Sequence, residues 1–123
     1  MLRYECPVQA VARTVAEPME LGDVSLARGE IVVALVGAAN RDPAVFADPD
    51  RMDIAWSDLR PLSFGGGIHF CLGAQLARIE AEIVFGLLLH RLPNLRLGEA
   101  DPPQWRQSFT LRGLTSLPVA WSN

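Results

Sequence analysis

The chain has 123 residues, half of them hydrophobic, which is the length of one ordinary domain with enough apolar material for a packed core. Its formal charge of −3, with 11 basic residues scattered among 14 acidic ones, leaves no basic stripe and argues against nucleic acid as a partner. The longest apolar run, residues 31–39, is too short to cross a bilayer, no secretory signal opens the chain, and two cysteines far apart make no disulfide framework, so a cytoplasmic protein is expected.

Residues 8–15 are rich in small and β-branched side chains and predict a strand. Residues 19–26 carry Gly22-Asp23 between apolar flanks, which predicts a tight hairpin. Gly29 permits a turn into Ile31-Val32-Val33-Ala34-Leu35-Val36, a continuous run expected of a strand buried on both faces. Asp42 as N-cap and Pro43 as first helical residue predict a short helix over residues 43–47, closed by Asp48-Pro49. Residues 50–63 show no period and read as ordered coil. From Leu72 to Leu92 there is no proline, and Leu72, Leu76, Ile79, Ile83 and Leu87 recur at helical spacing. This is the one long helix, with Arg78 and Glu82 spaced to pair on its exposed side, His90 near its C-terminus and Pro93 as its stop. Residues 98–103 are linker-like, and residues 109–111 and 117–121 bracket Gly113 as a last hairpin. The elements together indicate an α+β chain of short hairpins and strands with one long helix.

The densest chemical signal is Phe64-Gly65-Gly66-Gly67-Ile68-His69-Phe70-Cys71-Leu72-Gly73, a glycine-rich loop that delivers a cysteine to the start of the long helix. Amides at a helix N-terminus are unpaired donors, and with the helix dipole they favour a thiolate, which is a metal ligand. Glycines open turn conformations closed to other residues and leave room for a flat cofactor against the backbone. A lone cysteine before an apolar helix is more often a small buried hydrophobe, and a glycine run more often a flexible loop; the joint spacing with Phe64, His69 and Gly73 carries the functional reading. The glycines match neither a phosphate loop, which needs Gly-Lys-Ser or Gly-Lys-Thr, nor the dinucleotide fingerprint, which needs glycine where Phe70 stands. Cys6, Cys71, His69 and His90 form no zinc-ligand spacing, and Trp56, Trp105 and Trp121 read as core or lid residues.

These residues resemble the heme-ligand signature Phe-Gly-x-Gly-x-His-x-Cys-x-Gly of bacterial cytochromes P450 at every fixed position, through Phe64, Gly65, Gly67, His69, Cys71 and Gly73. The likeness extends to Ala74-Gln75-Leu76-Ala77-Arg78-Ile79-Glu80 and, upstream, to Asn40-Arg41-Asp42-Pro43 and Phe46-Ala47-Asp48-Pro49-Asp50-Arg51. The resemblance implies that residues 1–123 are the C-terminal portion of the cytochrome P450 fold, without its N-terminal helical part. It implies heme b as cofactor, Cys71 as the iron ligand, and Arg13 and His69 on the heme propionates. Val8, Gln9, Ala10 and Leu111 would stand beside the distal face as substrate contacts in a roomy apolar pocket. Arg3 and Arg51 would be structural members of a triad whose glutamate is absent, two cations expected to be left without a carboxylate. Met52 stands where phenylalanine is usual and Pro61 where histidine is common.

The function implied is that of a heme-thiolate monooxygenase, inserting oxygen into a small apolar substrate with electrons from a ferredoxin-type redox partner. No catalytic residue is assigned within this chain, because the distal helix with its acid and threonine has no counterpart here. Two rival readings stay open: a non-catalytic heme-binding protein, and a structural remnant of a truncated gene in which Cys71 is simply buried. A chain lacking the distal helix would expose apolar faces and is expected to self-associate.

Overall fold

The computed structural model describes residues 1–56, 60–98 and 102–122. They fall into two compact units, one of Met1–Ser63 with Ser108–Arg112 and the other of Phe64–Gln107 with Gly113–Asn123.

In the first unit, strand β1 (Val11–Thr14) lies antiparallel to β4 (Ile31–Ala34), with Val11 opposite Ala34 and Thr14 opposite Ile31. Between them β2 (Met19–Leu21) and β3 (Val24–Leu26) form the expected hairpin. Gly22 opens its turn at φ +60, a left-handed angle that side-chain-bearing residues adopt at a cost. The hairpin is tied to the end of the β1–β4 ribbon where Val15 donates to the Glu30 carbonyl and Gly29 donates to that of Val15, both at 2.9 Å.

The run over residues 31–36 departs from expectation. Among the described residues β4 pairs with β1 alone, Ile31, Val33 and Leu35 are exposed, and the strand ends at Ala34. Leu35 becomes the N-cap of a one-turn helix, α1 (Val36–Ala39), in which Ala39 and Asn40 donate back to the Leu35 and Val36 carbonyls. A continuous apolar run gives the material for two-sided burial but does not supply the covering layers. The helix expected over residues 43–47 is a single turn: the Asp42 carboxylate accepts the Ala44 amide at 2.8 Å as a cap would, and Val45 and Phe46 donate to the Asp42 carbonyl. It stops because Asp48 enters the left-handed region at φ 47 just before Pro49.

The core of this unit holds Cys6, Ala10, Val15, Val36 and Phe46, and two polar residues, Arg3 and Asn40. Arg3, only 4% exposed, donates to the carbonyls of Asn40 (2.9 Å), Pro49 (2.8 Å) and Arg51 (2.9 Å). Its guanidinium carbon stands 5.2 Å from the ring centres of both Phe46 and Trp56. Of the two cations expected to be left without a carboxylate, Arg51 departs from the expectation and Arg3 does not, although Arg3 is not orphaned. Arg3 is satisfied by carbonyl dipoles and aromatic faces, and Arg51 keeps its charge at the surface, 3.3 Å from the Asp53 carboxylate.

In the second unit, α2 (Ala74–Arg91) occupies the span predicted for the long helix, with Gly73 as N-cap and Leu92 as C-cap before Pro93. His90 and Arg91 lie in its last turn, where cations complement the dipole. The expected Arg78–Glu82 pair is replaced by a stack, the Arg78 guanidinium lying 5.2 Å from the Phe64 ring centre. Ala74 is the helix's one buried residue among those described; Leu76, Ile79, Ile83, Val84, Phe85, Leu87 and Leu89 are all exposed.

The last hairpin is also corrected. β6 (Val119–Ala120) pairs with β5 (Arg96–Leu97), not with residues 109–111, whose Leu111 bridges to Val8 in the first unit. Pro118 has no amide to give, and its carbonyl accepts Gly98, which extends the β5–β6 ladder. A separate small ribbon joins Trp105 to Leu114, with Arg106 donating to Gly113 and Thr115 to Gln104. Of the linker-like stretch 98–103, residues 99–101 lie outside the described residues. Among the described residues no helix is long and apolar enough to cross a membrane.

Candidate functional site

The glycine-rich loop is a closed turn of backbone. The chain leaves the 3-10 turn Leu62–Phe64, passes Gly65 at φ 72 and Gly67 at φ 60, and makes a second 3-10 turn over Gly67–His69. Phe70 donates to the Gly67 carbonyl at 3.1 Å, and Cys71 donates to the Phe64 carbonyl at 2.8 Å, closing the ring. Ala74 then donates to Cys71 at 3.2 Å, and the first i to i−4 bond of α2 runs from Ala77 to Gly73. The sulfur's place is therefore set by main-chain bonds and two left-handed glycines.

Cys71 is a free, exposed thiol. Cys6 is its opposite, buried and donating its S–H to the Val8 carbonyl at 2.9 Å. Around Cys71 the backbone is bare: a Cβ on Gly66 or Gly67 would meet nothing within 4 Å, and one on Gly73 would come 3.9 Å from the Cys71 sulfur. Ile68 is 97% exposed. An open sulfur above an unencumbered glycine backbone would suit a flat macrocycle bearing an iron that takes a thiolate ligand. A heme iron needs a single such ligand, so the lack of any group of three His, Cys, Asp or Glu among the described residues bears on other metals, not on this fit.

Phe64 is held from within the unit by an edge-on contact with Phe70, ring centres 6.4 Å apart and planes at 61°, and by the Arg78 stack. His69 closes the second 3-10 turn and is exposed. Arg13 lies on β1 of the first unit opposite Val32, exposed, with Nη1 donating to the Ala12 carbonyl at 2.8 Å.

The first unit brings the two predicted substrate segments together: Val8 bridges Leu111, Gln9 donates to the Thr110 carbonyl at 2.8 Å, and Arg112 donates to that of Pro7 at 2.8 Å. Ala10, 4% exposed, faces the core of the unit instead of an open surface. The Gln9 side-chain amide turns inward to the Cys6 carbonyl and fills the space that a side chain at Gly37 would need. A polar cleft of about 160 Å³ in the same unit has Tyr4, Glu5, Cys6, Arg41 and Arg112 in its wall, and of the predicted substrate residues it includes Gln9. Arg41 bonds Asp50 at 2.6 Å and lies 4.1 Å from the Tyr4 ring centre; the Asp50 hydrogen bond, aided by Tyr4, raises its pKa above the ordinary arginine range.

Sequence reasoning missed Asn40. It is fully buried (0% exposed), its Oδ1 accepts the Leu62 amide at 2.7 Å, and its Nδ2 donates to Ser63 Oγ at 3.1 Å. The available signal was an amide side chain directly after an apolar run, in Ala39-Asn40-Arg41, a position where a polar group needs partners.

The Cytochrome P450 family model matches residues 1–112. Among curated relatives, Cytochrome P450 107B1 of Saccharopolyspora erythraea is 50% identical over 96% of this chain and 30% of its own length. The 6-deoxyerythronolide B hydroxylase of the same organism is 45% identical over 97% of this chain and again 30% of its own. Among solved structures, P450BioI in complex with an acyl carrier protein carrying hexadec-9Z-enoic acid is similar at a TM-score of 0.91 and 47% identity, covering 98% of this chain and 31% of that one. CYP109E1 from Bacillus megaterium in complex with testosterone gives a TM-score of 0.93 at 39% identity, covering 99% and 34%. The chain thus spans about 30% of the length of the curated relatives it matches. With a family model over 112 of 123 residues and the fold shared with solved members, the chain belongs to the cytochrome P450 family.

Proposed function

We propose that this chain is the C-terminal, heme-ligand portion of a bacterial heme-thiolate monooxygenase. The observation that carries the reading is the closed glycine loop, which presents the exposed Cys71 sulfur over bare backbone at the head of α2. Bound heme b would supply the activation of dioxygen and its insertion into substrate, with electrons from a ferredoxin-type partner. Cys71 holds the iron as thiolate; Gly65 and Gly67 give the loop its left-handed turns, and Gly66 and Gly73 keep side chains away from the macrocycle. His69 and Arg13 are the donors proposed for the two propionates, an imidazole and a guanidinium each suited to a carboxylate. The substrate is proposed to be small and apolar, in keeping with the hexadecenoic acid and testosterone in the two related complexes, with Val8 and Leu111 as contacts. We place the protein in the cytoplasm.

A second reading, a heme-binding or structural remnant without turnover, is favoured by the exposure of α2. The absorption spectrum of the heme-loaded, reduced chain under carbon monoxide separates the two ligand readings. A thiolate-type spectrum in the parent that is lost in Cys71→Ala is the expected result; the same spectrum in both chains overturns the assignment. Oxygen-dependent turnover with a ferredoxin system then separates enzyme from remnant.

A further inference from the structure

We infer that Asn40 is a positioning residue for the cysteine loop; its link to the cofactor rests on the ligand reading above, while its link to the loop does not. The side chain is fully buried, and each of its polar atoms is used on the two residues that lead into the loop. Oδ1 holds the Leu62 amide at 2.7 Å, and Nδ2 holds Ser63 Oγ, which in turn donates to the Leu2 carbonyl at 2.7 Å. The Asn40 carbonyl is itself fixed by Arg3 at 2.9 Å. Leu62 and Ser63 open the 3-10 turn whose last residue is Phe64, and the Phe64 carbonyl is the acceptor for the Cys71 amide. The chain path is therefore Asn40 side chain, Leu62–Ser63 backbone, Phe64 carbonyl, Cys71. Among the described residues no side-chain hydrogen bond reaches the Cys71 backbone, so closure of the ring depends on the Cys71–Phe64 bond and on the turn that carries Phe64.

A hydrophobic residue of similar size at position 40 would fill the space and leave the Leu62 amide without its acceptor. Aspartate keeps the acceptor and loses only the donor to Ser63. That difference gives the test: amide hydrogen exchange of the full chain, residue by residue, in the parent, Asn40→Ala, Asn40→Asp and Ser63→Ala. In Asn40→Ala the Leu62 and Cys71 amides should exchange faster by about tenfold, the factor given by one ordinary hydrogen bond, while the paired amides of β1 and β4 keep their protection. Asn40→Asp should restore most of the Cys71 protection. Equal Cys71 exchange in parent and Asn40→Ala overturns the inference. If Asn40→Ala loses protection throughout and so fails to fold, Ser63→Ala decides: it removes the hydroxyl's bonds to both Asn40 and the Leu2 carbonyl while the Leu62 bond stays, so Cys71 exchange should rise there by less than in Asn40→Ala, and exchange equal to the parent's overturns the inference. With heme loaded, Asn40→Ala should convert part of the thiolate-type carbon monoxide spectrum to another form, and Asn40→Asp should recover it. A parent chain without a thiolate-type spectrum sinks the ligand reading alone, because the exchange result stands without heme.

Discussion

Arg3 shows how far a single residue's role depends on partners distant in sequence. Its three carbonyl acceptors sit 37, 46 and 48 positions along the chain, and the two rings that flank it belong to Phe46 and Trp56. Methionine fills the space but leaves three carbonyls of the buried turn without donors; Arg3→Met should destabilise the first unit by about 3 kcal/mol, read as a lower urea midpoint. Lysine cannot reproduce a planar fork of donors, so Arg3→Lys should recover only part of the loss. Arg41 makes the contrasting case. Its partner Asp50 is largely exposed, and Asp50→Asn should change stability by less than about 1 kcal/mol in the same measurement. Because Arg41's pKa is raised, its contribution is complete at every pH below the ordinary arginine range and is lost only as pH rises through the shifted value, so none of it varies near neutrality. At this scale the sequence made Cys71 and its glycines readable, because their roles are local: a turn angle and a helix start. The partners of Asn40 and of Arg3 were unreadable, because a hydrogen bond across 22 to 48 residues leaves no periodic trace.

Among the elements, the β2–β3 hairpin and α2 follow directly from turn chemistry and spacing. The hairpin turn depends on Gly22 alone for its left-handed angle, and a Cβ there would touch nothing, so any penalty is conformational. Gly22→Ala should cost about 1 kcal/mol, and Gly22→Asn, which tolerates that region better, should cost less; thermal unfolding of the two variants measures it. Elements failed where pairing is non-local. β6 finds β5 across more than twenty residues, past the Trp105–Leu114 ribbon, and no signal in residues 109–121 announces that partner. β4 failed differently. Its composition suits burial on both faces, but composition cannot say whether covering layers are present, and among the described residues β1 is the one strand paired with it.

For the whole molecule, the exposed leucines, isoleucines, valine and phenylalanine of α2 predominate, together with Ile31, Val33 and Leu35 of the first unit. Apolar area of this extent is normally covered by association. The 123-residue chain should therefore elute as a dimer or larger species, measured by size exclusion with light scattering, and Leu76→Gln with Ile83→Gln should shift it toward monomer. An unmixed monomer in the parent would show that α2 tolerates water as it stands. The two cysteines offer a separate handle, since they differ in access and lie in different units. A maleimide added to the native chain should label Cys71 within the mixing time of ordinary thiol chemistry and leave Cys6 untouched until its core opens. The slow second labelling is then a clock for opening of the first unit, and a dye on Cys71 a reporter on the second, so one native chain carries two independent stopwatches without any engineered residue.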